Sequence, residues 1–418
     1  MMARAAPRIG LLKALTFLMF AMFAMTTDSV GVIIPRVIKQ YSLGMTAGGA
    51  FQYATMSGIS IAAFGLGFLA DRWGRKRSIV AGLVLFGVSS ALFAVGHDFL
   101  FFVSLLFCSG VAIGVFKAGA LALIGDISRS TREHAATMNM VEGFFGVGAI
   151  IGPAVVARLL LSGLDWKWLY VIASGLCAIL VAMAAFARYP TPPAREAVRQ
   201  RRLSETWSLL RDPFALGFSL ALMLYVAAEA AVYVWAPTYL EGYHGPFAWF
   251  ALYVVSIFFV LRAAGRFLGA WLLARLPWPA VLAVCSGGVF ICFLAGCLGG
   301  RGVAAIALPV SGLFMSVLYP TINSKGISSF ARPRHGEIAG LLLFFTCLSA
   351  VLAPLAMAAV SDALGDAKYS LYLASVFAGL LTALGVWNAV TNPTRQRLAE
   401  RDDEDYLEEA AVSAGAVP

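Results

Sequence analysis

Twelve apolar runs of roughly 20 residues, each long enough to cross about 30 Å of hydrocarbon as an α-helix, recur along the chain. They lie near 11–35, 48–70, 78–96, 99–125, 136–161, 168–187, 214–240, 247–274, 279–299, 303–329, 337–361 and 369–390. With 60% of 418 residues hydrophobic, 13% charged and a mean hydropathy of +0.83, too little polar surface remains to coat these segments as soluble core helices. The first run is too long, and too polar at its end, for a cleaved signal peptide and is expected to stay as a membrane helix. The sequence thus predicts an all-α membrane protein with twelve transmembrane helices in two six-helix bundles.

The net charge of +9 does not point to nucleic acid, because the positive charge follows topology. Arg72, Arg75, Lys76 and Arg77 follow span 2, Arg129 and Arg132 follow span 4, and Arg332 and Arg334 follow span 10. Six arginines, from Arg188 to Arg211, follow span 6. The loop after span 3 has no basic residue, and the loop after span 9 has Arg301 alone. The positive-inside rule then puts both termini in the cytoplasm, and the expected location is the bacterial inner membrane.

Residues 188–212, polar and Arg-rich, split the spans six and six. The expected organisation is a first bundle over 1–187, a cytoplasmic linker over 188–212, a second bundle over 213–391 and a solvated, disordered tail over 392–418. A linker of roughly 25 residues cannot bury a core of its own. All six cysteines fall inside predicted spans and read as small packing residues. There is no CxxC and no histidine cluster, and the expectation is no metal and no cofactor.

Charge inside the spans is the most informative feature. Asp28 lies in span 1, Lys117 in span 4, Glu142 in span 5, Glu229 in span 7, and Arg262 and Arg266 in span 8, while Lys325 sits towards the cytoplasmic end of span 10. Each would cost roughly 2.5–3.5 kcal/mol at the centre of a lipid-facing helix, so they must face water or one another. Spans 3, 6, 9 and 12 have no charge in their apolar runs. The pattern implies a polar interior and a lipid-facing helix every third span, a period that nested repeats of three helices would give.

The segment "GFLADRWGRKR" (67–77) resembles the signature loop between helices 2 and 3 of the major facilitator superfamily, matching at Gly67, Leu69, Asp71, Arg72, Gly74, Arg75 and Lys76. Gly67 allows close helix approach and Gly74 a tight turn, Asp71 can accept from backbone N–H groups at a neighbouring helix N-terminus, and Arg75 can reach Asp126. The resemblance implies a cytoplasmic gate of Gly67, Asp71, Arg72, Gly74, Arg75 and Asp126 that latches the two halves. "GLDWKWLY" (163–170) is similar to the family's entry to helix 6. The family's second signature copy is almost erased in "GAWLLARLPWP" (269–279).

Four segments resemble the fucose–proton symporter group: "NMVEGFFGVGAIIGP" (139–153), "LYVAAEAAVYVWAPTYL" (224–240), "GLFMSVLYPTINSKGI" (312–327) and "AAVSDALG" (358–365). They imply a sugar or a similarly small polar cargo. At Lys117 that group tends to carry an acid.

Tyr225, Glu229 and Tyr233 recur every fourth residue and share a helix face, a carboxylate between aromatic rings that suits a polyol. Ser316, Tyr319 and Asn323 share a face of span 10 around Pro320. Lys117 and Glu142 come from consecutive spans. They read as an interior ion pair, as a structural salt bridge, or with Lys117 holding an anionic cargo group; Asp28 is another candidate partner for Lys117. Arg262 lies near mid-membrane, where it can meet cargo or Glu229, and Arg266 lies closer to the cytoplasm.

The candidate binding and coupling set is therefore Asp28, Lys117, Glu142, Tyr225, Glu229, Tyr233, Arg262, Tyr319 and Asn323. The expected function is secondary active transport of a small polar solute (a sugar, sugar acid or similar organic anion) by alternating access with proton coupling. The alternative is an exporter of drugs, siderophores or other metabolites by proton antiport. The expected partners are the solute, protons and the lipid bilayer, and the chain is expected to act as a monomer. No phosphate-binding GxxxxGK[ST] loop is present, which argues against ATP driving. The four histidines sit at span ends or in loops, which leaves no enzyme constellation.

Overall fold

The computed structural model describes residues 8–66, 72–128, 131–190, 209–331 and 334–400. Each predicted span contains a long helix. In chain order these are α1 (Ile9–Tyr41), α2 (Ala50–Gly65), α3 (Arg75–Ala94), α4 (Phe99–Ile127), α5 (Thr131–Leu161), α6 (Trp168–Phe186), α7 (Pro213–Tyr239), α8 (Val254–Leu273), α9 (Trp278–Leu298), α10 (Gly300–Ser328), α11 (His335–Leu364) and α12 (Lys368–Thr391). Eleven are long and apolar enough to cross a membrane. The twelfth, α2, is described only as far as Gly65, because the end of its apolar run lies among residues 67–71, outside the described residues.

Local chemistry sets the helix ends. Asp98 opens α4 by accepting from the Phe101 N–H at 3.1 Å. Asp212 opens α7 by accepting from the Phe214 N–H at 2.9 Å, with Pro213 in the first turn where no N–H is missed. Because the helices alternate in direction, α1 begins and α12 ends on one face, here the terminal face; the opposite one is the far face.

Packing partners fall into two sets. Within the first six helices α2 and α3 pack on α4, α3 on α6, and α1 on α5 and α6. Within the last six α8 and α9 pack on α10, α9 on α12, and α7 on α11 and α12. In the first set, an added Cβ at Gly148 or Gly152 of α5 would strike the carbonyls of Ala21 and Met25, so α1 and α5 touch backbone to backbone. The outer helices show lipid-type surfaces: Ile172, Leu176, Ile179 and Met183 form an exposed apolar stripe on α6, as do Tyr372, Val376 and Leu380 on α12. The interior helix is α7, with 78% of its apolar window buried against 22% for α12.

The two sets meet through α1–α7, α2–α11 and α5–α8. The described ties between them cluster towards the far face. Ser256 Oγ donates to the Ile150 carbonyl at 2.9 Å, Lys39 pairs with Glu241 at 2.8 Å, and Asp362 accepts from the Met45 and Thr46 N–H groups.

One expectation is corrected. The chain after α12 does not leave as a solvated tail at once, since residues 395–400 are helical. Arg397 bridges to Asp212 Oδ2 at 2.9 Å, donates to the Ser329 carbonyl at 2.7 Å and stacks over Phe214 and Phe330. The charge-rich composition of this stretch concealed one arginine with two rings and a helix cap to dock on. Residues 401–418 and most of the expected linker, 191–208, lie outside the described residues.

Candidate functional site

The two central acids each sit at a break in a helix. The α-helix of α1 is interrupted at Asp28 and Ser29, between Ile9–Thr27 and Val30–Tyr41. In α7 the α-helix ends at Ala230, one residue after Glu229, and Ala231–Trp235 is a π-turn. Such turns often mark functional sites. A proline follows each break: Pro35 cannot donate to the Gly31 carbonyl, nor Pro237 to the Tyr233 carbonyl. The two breaks abut. A Cβ on Gly31 would collide with the Tyr233 carbonyl, so only glycine permits this crossing of α1 and α7.

Around Glu229 the last six helices build a closed set of interactions. Arg262 on α8 forms an ion pair with Glu229, and the Tyr225 hydroxyl donates to Glu229 Oε1 at 3.2 Å. The Tyr225 and Tyr319 rings lie 5.7 Å apart, and the Arg262 guanidinium lies 5.9 Å from the Phe259 ring centre, with Tyr233 at 6.5 Å from that ring. Burial explains why the acid needs these partners: the Glu229 side chain is 11% exposed, and a carboxylate there without a cation would be costly.

The central charges of the first six helices make no ion pair among the described residues. The Lys117 ammonium lies 5.3 Å from the Phe145 ring centre and pairs with no carboxylate among the described residues. The expected Lys117–Glu142 ion pair is therefore not formed. Glu142 is exposed and lies within electrostatic reach of Tyr319 and Arg262 on the last six helices. Asp28 accepts from the Thr27 hydroxyl at 2.9 Å and lies within electrostatic reach of Lys117, Glu229 and Arg262.

Eight of the nine sequence-selected residues are thus linked by direct contact or electrostatic reach across both sets. Asn323 is half-buried on α10, and no described contact joins it to the others. Arg266 is exposed and Lys325 half-buried, and no described contact joins either to the central cluster.

Two residues escaped sequence reading. Gln52 on α2 is fully buried beside Tyr233, and neither end of its amide makes a well-formed hydrogen bond. It was legible only as a lone amide in an apolar helix. Phe145, whose ring carries the Lys117 charge, is indistinguishable in sequence from a packing residue.

Of the signature-loop residues, Gly67 and Asp71 lie outside the described residues and Arg72 is exposed. Gly74 has φ +82 before α3, a conformation that favours glycine. Arg75 Nε donates to Asp126 Oδ2 at 2.8 Å with both side chains buried. That pair ties α3 to α4 within the first six helices. An apolar cavity of about 310 Å³ between α7, α9, α10 and α12 has no charged residue in its lining and stands apart from the central cluster.

The family model for the Major Facilitator Superfamily matches residues 16–354. The chain belongs to this superfamily of transporters. Among curated relatives, the L-fucose-proton symporter of Escherichia coli K12 is 23% identical over 389 residues, covering 84% of this chain and 87% of that protein. The quinolone resistance protein NorA of Staphylococcus aureus MRSA252 is 24% identical over 385 residues, covering 89% and 95%. Among solved structures, the nucleoside transporter NupG superposes with a TM-score of 0.72 at 15% identity, over 92% of this chain and 99% of that one. The superfamily member described here is accordingly an integral membrane transporter, not an enzyme, and it resembles the fucose symporter group.

Proposed function

We propose that this protein is a secondary active transporter of the bacterial inner membrane that moves a small polar solute by alternating access, coupled to protons. The observation that carries the reading is the convergence of Asp28, Lys117, Glu142, Glu229 and Arg262 from five helices on one interior region shared by both helix sets. Carboxylates that face the interior without a fixed cation are suited to take up and release protons, and Tyr225 and Tyr319 offer aromatic faces to a cargo ring or carbon chain. The unpaired Lys117 favours a negatively charged cargo, a sugar acid or similar organic anion, over a neutral sugar.

In this reading residues 1–187 and 213–391 are the rocking bundles, with 188–212 the link between them. Both termini are cytoplasmic, and the ties near the far face hold the outward side shut. Purified protein in liposomes, given an inward proton gradient, should accumulate cargo above equilibrium. Accumulation that ignores the gradient would remove the coupling, and interior charges that can be neutralised without effect on uptake would remove the site.

A further inference from the structure

The far face has one tie whose chemistry differs from the rest. Asp362 sits in the last turn of α11, where the negative end of its own helix opposes an acid. Its carboxylate reaches across to the other helix set. Oδ1 accepts from the Met45 N–H at 2.7 Å and Oδ2 from the Thr46 N–H at 2.8 Å, at the one-turn helix Met45–Gly48 that leads into α2. Gly44 makes the approach possible, because a Cβ there would lie 2.9 Å from Asp362 Oδ2. On the other side, Gly365 ends α11 at φ +73, so the helix stops where the carboxylate clears it.

We propose that Asp362 is a gate residue of the transport cycle: its carboxylate clasps the start of α2 and holds the far face closed. The inference rests on the alternating-access reading above. Of the other far-face ties, the Ser256–Ile150 bond at 2.9 Å is a single neutral contact, and two are poorer clasps. Lys39–Glu241 uses a lysine that is 62% exposed, and such surface pairs contribute little. The Tyr53 hydroxyl meets the Pro354 carbonyl only at 3.4 Å. Asp362 instead makes two short charge-assisted bonds to backbone donors that lose no side-chain entropy on pairing. Those N–H groups are the free donors of a helix start and can take water instead when the halves part. The clasp is therefore reversible, as a gate must be.

The test is a distance measurement between spin labels on cysteines replacing His97 and His244, exposed far-face loop residues of the first and last helix sets. In the otherwise unchanged protein the short-distance population should dominate. Asp362→Ala should convert it to a mainly longer population, Asp362→Asn should do so partly, and Gly44→Ala should act in the same direction by displacing the carboxylate. Asp366→Ala, which removes a nearby acid bonded to Lys368, should change nothing and serves as the control. If Asp362→Ala and Gly44→Ala both keep the parent distribution in folded, monodisperse protein, the gate assignment is wrong. If the Asp366 control opens the face equally, it is wrong as well. These outcomes do not depend on cargo or protons. Failure here leaves uptake by alternating access standing, whereas failure of two distinct populations to exist in any variant would count against both.

Discussion

The charged groups at the centre are treated differently by the two helix sets. In the last six helices Glu229 is neutralised by Arg262 and held by Tyr225. In the first six, Lys117 rests on an aromatic ring, Glu142 is exposed and Asp28, among the described residues, accepts from a hydroxyl and joins no ion pair. A self-neutralised pair needs nothing from outside, while open charges in a membrane interior need water, a proton or a ligand. The contrast teaches a division of labour. On the proposed reading, the second set supplies a fixed polar wall, and the first supplies the groups that cargo and protons would complete.

Five substitutions, one of them added to another, sharpen or break this comparison. The largest effect should come from Arg262→Met, which strands a buried carboxylate and should cost about 3 kcal/mol in thermal or denaturant unfolding. Adding Glu229→Leu should return most of that stability without restoring uptake. A single variant as stable as the parent would mean that the pair is not desolvated, and the contrast would fail.

Lys117→Gln should leave stability within about 1 kcal/mol, since no ion pair is lost, while apparent cargo affinity falls at least about tenfold, or 1.4 kcal/mol. A large stability loss with unchanged affinity would show that Lys117 is structural. Glu142→Gln should keep exchange of cargo across the liposome membrane at equal pH but abolish accumulation driven by a proton gradient. Retained gradient-driven uptake would move the coupling role to Asp28 or Glu229.

The smallest effect concerns the ion pair outside the membrane-spanning helices. Burial tends to raise the Asp212 carboxyl, but hydrogen bonds from Arg397 and from the Phe214 and Ala215 N–H groups outweigh it and hold it below its usual value of 3.8. A lowered folded-state value means that the contribution is present above about pH 4 and is lost as the pH falls through that lowered value. Arg397→Ala should cost about 0.2–1 kcal/mol near neutral pH, a difference that closes in strong acid. A cost that persists unchanged at low pH would assign it to the rings of Phe214 and Phe330 rather than to charge.

Much of the fold was legible because lipid imposes it: a run of twenty apolar residues has few alternatives, and each of the twelve became a helix. The central residues were legible for the same reason, since charge inside such a run stands out. What stayed hidden depends on three-dimensional partners. Lys117 and Glu142 lie on consecutive spans, yet the structure sets one against the Phe145 ring and leaves the other exposed. The π-turn after Glu229 and the crossing at Gly31 arise where two helices meet. Asp362 lies in a segment whose partners, the Met45 and Thr46 N–H groups, come near it only in three dimensions. Arg397 lay in a stretch whose average composition reads as solvated.

The most direct test compares the thermal stability of wild-type protein and Lys117→Gln with D-gluconate and with its neutral counterpart D-sorbitol, alongside a panel of small carboxylates and sugars. A ligand at about 100 times its Kd stabilises by roughly 2.7 kcal/mol, well within reach of the method. The account predicts that anions raise the melting temperature of the wild type and not of the variant. Neutral sugars stabilising both proteins alike, with no response to any anion, would contradict it.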